Sequence, residues 1–193
     1  MAQPNQTPGP GAHPPSDDQL VHAIAQGNSQ ALDTLYQRHG LRLLAYLVGQ
    51  IGERGQAEEV LQDVMLAAWR GAANFRGESS VRTWLLAIAR HRAINARQRR
   101  PPPGVALADT IAADDTGPQE ALERQDDRDA VRSALAHLPP DQRETLELVF
   151  YHGLSGPEAA EVMGVATGTV KSRLHRAKAM LHDVLRAGEQ HDA

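Results

Sequence analysis

The sequence predicts an all-α protein: two small helical domains joined by a flexible acidic linker. Three observations lead there. Ala, Leu, Arg, Glu and Gln are abundant while strand-favouring runs are nearly absent, so local propensity points to helix throughout. Apolar residues recur at three- and four-residue spacing. Finally, Pro101, Pro102, Pro103 and Gly104 end one helical half, and a stretch low in large apolar residues separates it from the next. A chain of 193 residues accommodates two such domains, and with 41% hydrophobic but only 4% aromatic residues their cores must be built from Leu, Ala, Val and Ile. The expected division is a disordered tail at 1–15, a first domain at 16–100, a linker at 101–118, a second domain at 119–187 and a short tail at 188–193.

The first 15 residues, rich in Pro, Gly, Gln and Asn, cannot bury enough apolar surface to offset the entropy of ordering. Ser16 is the expected cap of a first helix, with Asp17 and Asp18 well placed in its first turn, Leu20, Val21 and Ile24 on its buried side, and Gly27 as its stop. A second helix starts at Asn28 and carries Leu32, Leu35 and Tyr36. It either breaks or bends at Gly40, then continues through Leu41, Leu44, Leu47, Val48 and Ile51.

A third helix is expected over 57–70. Ala57, Val60, Leu61, Val64, Met65 and Ala68 form its core face, and Glu58, Glu59, Gln62, Asp63, Leu66, Trp69 and Arg70 lie outside it. Carboxylates mixed with a Leu and a Trp mark either contact with a neighbouring helix or a face that docks on another protein. The loop 74–80 leads into a helix from about Ser80 to Arg100, with Val81, Trp84, Leu85 and Ile88 as its core contacts. Between Arg82 and Arg100 it carries Arg82, Arg90, Arg92, Arg97, Arg99 and Arg100 with no acid among them. Such density is costly in self-repulsion unless a polyanion lies nearby, which favours nucleic acid over a merely solvated face.

Residues 105–118 contain Asp109, Asp114 and Asp115 and read as the acidic linker. A helix over 119–138 precedes Pro139 and Pro140, and the next begins near Asp141 with Leu146, Leu148, Val149 and Phe150 as its core contacts. Ser155 then caps a short helix that Gly164 ends, and Thr167 caps a longer one beginning near Gly168. So short a Gly-containing turn between two helices reads as a helix-turn-helix. On the second helix Val170, Leu174, Ala177, Leu181, Val184 and Leu185 form one apolar stripe. Gly168, Lys171, Ser172, His175, Arg176 and Ala179 lie opposite, with Arg173 and Lys178 at the flanks. From Val165 to His182 there is no acidic residue. Cations for phosphates and short donors at a helix N-terminus suit the major groove of DNA.

The net charge of -4 is compatible with this because basic residues crowd two helices and acids the middle. With no cysteine, disulfides and thiolate metal sites are excluded, and a reducing cytoplasm is compatible. The nine His show no helical pair combined with a suitable carboxylate, so no metal and no cofactor is expected. No apolar run reaches the ~20 residues needed to span a membrane. There is no nucleophile with a paired base and no phosphate-binding Gly loop, so an enzyme is not expected.

The segment LPPDQRETLELVFYHGLSGPEAAEVMG followed by GTVKSRLHRAKAML resembles region 4 of sigma-70 family factors of the extracytoplasmic-function (ECF) group. AEEVLQDVMLAAW is similar to region 2.2 of the same group, with Met65 where an aromatic is frequent, and FRGESSVRTWLLAIARHRAINARQRR to regions 2.3 and 2.4. The resemblance implies a factor that directs bacterial RNA polymerase to promoters. By it, Glu59, Gln62, Asp63 and Leu66 would bind the clamp helices of the largest polymerase subunit. Asn74, Phe75, Arg76, Ser79, Ser80, Arg82, Arg90, Arg97 and Arg100 would recognise and hold the melted minus-10 element, one base flipped into the 74–80 loop. Thr167, Gly168, Thr169, Lys171, Ser172, Arg173, His175, Arg176 and Lys178 would meet the minus-35 element, with the flap of the second-largest subunit holding that domain. An anti-sigma factor is the implied regulator. A stand-alone helix-turn-helix regulator and an interaction protein without DNA binding remain as alternatives.

Overall fold

The computed structural model of the chain describes residues 14–99 and 134–189, with side chains to 183. Every regular element among them is helical. Ser16 caps α1 (Asp17–Ala25) in a reciprocal capping box with Gln19, and Leu20, Val21 and Ile24 are buried as the spacing predicts. Asn28 caps α2 (Ser29–Ile51), which runs unbroken through Gly40. Of the break or bend expected at Gly40, the break does not occur, because Gly40 is buried in the helix interior against the Tyr36 ring, where packing outweighs its poor propensity. Leu41, by contrast, stands 82% exposed.

α3 (Arg54–Gly71) starts three residues earlier than its apolar periodicity suggests, since the Glu53 carboxylate caps it by accepting from the amides of Gly55 and Gln56. Its buried residues are the six predicted. After a 3-10 turn (Ala72–Asn74) and a loop with Gly77 at φ 68°, Ser80 opens α4 (Val81–Arg99), its hydroxyl accepting from the Thr83 amide. Here the core face differs from expectation. Trp84 and Ile88 are only partly buried, while Thr83, Leu86, Ala89 and Ala93 join Val81 and Leu85 inside. The reason is that α4 is covered on two sides, by α2 and α3 and by a helix of the C-terminal half.

The linker lies outside the described residues, as do Arg100 and residues 119–133. Residues 134–136 are helical. Pro139 and Pro140 start α5 (Pro140–Leu146), which continues as a π turn (Glu147–Tyr151). The extra residue in that turn shifts the buried register, so Leu146 and Leu148 are inside but Phe150, expected in the core, is 63% exposed. Ser155 caps α6 (Gly156–Met163) in a second capping box, with Glu158, and Gly164 ends it at φ 64°, both as predicted. α7 (Thr167–Glu189) begins at Thr167 itself, the Ala166 carbonyl accepting from Thr169 and Val170. Thr167 is therefore the first helical residue, not the cap.

One buried apolar cluster runs from Leu20 through the cores of α2, α3 and α4 into Leu154, Ala159, Val162, Met163 and Val170. A smaller one joins Leu138, Leu146 and Ala177, with Leu174 and Leu181 packed against it. The two halves thus meet along α4 and α6, and the face of α7 away from both clusters stays open to solvent.

Candidate polymerase and nucleic-acid interfaces

Three surfaces gather the residues predicted to act. On α3 the core face is fully used, so Glu58, Glu59, Gln62, Asp63 and Leu66 are all exposed, Leu66 to 45%. Arg54 and Glu58 pair along the helix at 2.9 Å. Trp69 does not join this face; it is partly buried against the core. What remains is an acidic strip with one large apolar side chain at its end.

The second surface is the 74–80 loop and α4. Asn74, Arg76 and Ser80 are exposed, and Phe75 and Ser79 are half-buried. The Phe75 ring lies 5.0 Å from that of Trp84, tilted by 43°. Beside them an open pocket of about 440 Å³ is lined by Asn74, Trp84, Ile88, His91 and Arg92 among others. Its aromatic wall, amide and guanidinium are what a planar, hydrogen-bonding base requires. Trp84 is partly packed and partly pocket wall. His91 was not singled out from sequence; it falls one helical turn after Ala87 on the face that also carries Trp84, and that spacing was the available signal.

Two of the arginines are already engaged. Arg82 donates to the Gly153 carbonyl at 3.3 Å, and Arg90 donates from Nε to Glu144 at 2.8 Å. Arg97 is exposed. Glu144, which sequence reasoning missed, is buried and also accepts from the Tyr46 hydroxyl at 2.7 Å. Burial and the adjacent Glu144 charge hold the Tyr46 phenol well above its ordinary range, so it remains a donor. A fully buried tyrosine hydroxyl needs a partner, and Glu144 supplies it. Likewise Glu158 closes its capping box and accepts from Thr83 at 3.2 Å and Ser80 at 3.5 Å. Hydrogen bonds from Ser155 and Thr83 hold its carboxyl below the usual range.

The third surface is α7. Gly168, Lys171, His175 and Arg176 are exposed on the side opposite buried Val170 and Ala177, and Lys178 is exposed at the flank. Thr167 and Thr169 are half-buried at its start. Ser172 turns its hydroxyl back to the Thr169 carbonyl at 2.9 Å. Arg173 departs from the others: it pairs with Asp141 at 2.6 Å and packs beside Met163, tying α7 to α5 and α6. Lys178 sits 5.3 Å over the exposed Phe150 ring. Among the described residues no cluster of His, Asp and Glu could hold a metal ion, and no helix is long and apolar enough to cross a membrane.

Comparison with known proteins agrees with this geometry. The family description "Sigma-70 region 2" matches residues 35–101, and "Sigma-70, region 4" matches 128–181. The RNA polymerase sigma-H factor of Pseudomonas aeruginosa is 33% identical over 180 residues, covering 88% of this chain and 93% of its own. The ECF RNA polymerase sigma factor SigM of Mycobacterium tuberculosis is 37% identical over 179 residues, covering 91% and 87%. Among solved structures, CnrH in complex with the cytosolic domain of CnrY aligns with a TM-score of 0.64 at 30% identity, over 89% of this chain and 97% of that one. RpoE of Bartonella quintana, solved with the anti-sigma factor NepR, aligns with a TM-score of 0.62 at 26% identity, over 79% and 97%. With both sigma regions present in order, and their helices folded around an open acidic strip and an acid-free α7 face, the chain belongs to the sigma-70 family and is an ECF-type sigma factor.

Proposed function

We propose that each surface has one partner in transcription initiation. The α3 strip of Glu59, Gln62, Asp63 and Leu66 binds core polymerase, through the clamp helices of its largest subunit. The 74–80 loop, its pocket and the cations of α4 receive the melted minus-10 strand. The exposed side of α7, led by Lys171, His175 and Arg176, enters the major groove at the minus-35 element, with Ser172 near its N-terminal turn. Residues 16–100 and 119–187 act as the two binding units. No bond is made or broken by this chain; it supplies binding energy for promoter opening in the cytoplasm, where the polymerase works.

The observation that carries this reading is the α7 face. A capping box at Ser155 and a left-handed Gly164 fix the turn, and no carboxylate occurs from Val165 to His182, a stretch that runs from the turn into α7, whose apolar side is anchored. The complex of a similar chain with the anti-sigma factor NepR supports an anti-sigma factor as the regulator here too. The experiment is abortive initiation with purified core polymerase on a library of linear promoters. The protein should direct initiation from a shared two-part sequence, and Asp63→Arg should abolish both initiation and core binding while leaving thermal unfolding unchanged. Tight duplex binding without any effect on initiation would instead favour a stand-alone regulator.

A further inference from the structure

Arg173 is a cation of α7 that turns inward. Lys171, Arg176 and Lys178 are exposed, whereas the Arg173 side chain is 19% exposed. At ~100° per residue it falls about 60° from buried Val170 and about 160° from exposed His175, so it does not share the outer face. Its guanidinium donates to the Asp141 carboxylate at 2.6 Å and lies 4.0 Å from the Met163 sulfur. Thr145, fully buried, completes the junction: its hydroxyl donates to the Asp141 carbonyl at 2.6 Å and sits 3.4 Å from the same sulfur. One arginine thus joins the first turn of α5, the last turn of α6 and the second turn of α7.

Resting on the placement of α7 in the major groove proposed above, we infer that Arg173 and Asp141 are a positioning pair for minus-35 recognition, and that Arg173 itself holds no phosphate. Base edges are read only by side chains presented at a fixed angle to the groove. Buried Val170 and Ala177 hold the inner side of α7, but apolar contact is non-directional. The planar fork of Arg173, fixed to a carboxylate of α5 and lying against the α6 sulfur, supplies the missing direction. The pair therefore sets how Lys171, His175 and Arg176 meet the DNA. This gives Asp141 an effect opposite in sign to its charge. Electrostatics alone would have removal of a carboxylate tighten DNA binding. Acting through Arg173, its removal weakens the specific complex instead.

The experiment titrates holoenzyme, assembled from core polymerase and the full chain, onto two promoter duplexes over a range of salt. One carries an intact minus-35 element and the other a scrambled one. Asp141→Asn should weaken binding to the intact promoter by about fivefold or more, the scale of one misplaced base contact, without weakening binding to the scrambled one. Arg173→Gln should do the same and leave the salt dependence unchanged. The double variant should be no worse than the more affected single one. Asp141→Glu, which keeps the carboxylate, should recover most of the loss. The Asp141 side chain is 63% exposed, so thermal unfolding, measured alongside, should shift little. Binding that is unchanged or tighter with Asp141→Asn overturns the pair, as does an equal loss on both duplexes. So do additive losses in the double variant, or a salt slope reduced by about 0.9 with Arg173→Gln, the mark of a lost phosphate contact. Lys171→Ala reads the underlying placement separately. Weaker binding to the intact promoter with it leaves α7 on the DNA when the pair alone fails, and unchanged binding removes both.

Discussion

Glu147 shows how single side chains set the pH behaviour of this molecule. Its carboxylate reaches the Gln50 amide at 3.4 Å and stands 3.9 Å from the buried His152 ring, too far for a hydrogen bond. Burial pushes it above its ordinary value near 4.5, more than the approach of His152 and Gln50 lowers it. Between the ordinary and the raised value the folded chain binds more protons than the unfolded one, so this group's contribution to stability falls as pH rises through that window. Glu147→Gln is therefore expected to raise Tm at neutral pH, with the gap to wild type closing as pH approaches 4.5. Thermal unfolding across that range checks it, and an unchanged gap contradicts it. Asp17 acts in the opposite sense. Burial alone would raise it, but Arg38 at 2.8 Å and His39 at 2.7 Å outweigh that and lower it, so its contribution is lost as pH falls below the ordinary carboxylate value. Neither effect was legible in the sequence, since Glu147 and Gln50 are far apart in the chain and only packing brings them together.

At the scale of elements, local chemistry was enough wherever a helix end was closed by its own residues. Ser16, Ser155, Gly27 and Gly164 each did what their side chains, or the lack of one, dictate. Ser155→Ala removes an acceptor from the Glu158 amide and half of a capping box, and should cost about 1 kcal/mol. Gly164→Ala places a Cβ at φ 64° and should cost about 1–2 kcal/mol. Denaturant unfolding of each variant measures both, and a loss well under half these values would mean that the turn is held by packing alone. The apolar stripe of α3 was legible in full because that helix packs on one side. α4 was not, since it is covered on two sides and a single stripe cannot describe it. Phe150 was misplaced for another reason: the π turn adds one residue, and periodicity counts without it.

For the whole molecule, the order of the motifs in the sequence carried the family, while the closed contact between the halves could not be read from it. That contact rests on residues with no motif of their own: Tyr46, Arg90, Glu144 and Glu158. A composition of opposite charges on two basic and acidic stretches is compatible with many arrangements, and only burial of the Glu144 carboxylate selects this one. This arrangement leaves the α3 strip and the outer face of α7 exposed. The central claim is that one chain then reads two separate promoter elements with its two halves. Tethered hydroxyl-radical cleavage tests it most directly, with the reagent attached in turn through Glu78→Cys in the loop and Ala179→Cys on the outer side of α7, in assembled holoenzyme on promoter DNA. Cleavage from the loop confined to the melted minus-10 region, and from α7 to the duplex around minus-35, is the predicted result. Cleavage by both labels at one site, or from α7 alone with no melted region, would contradict it.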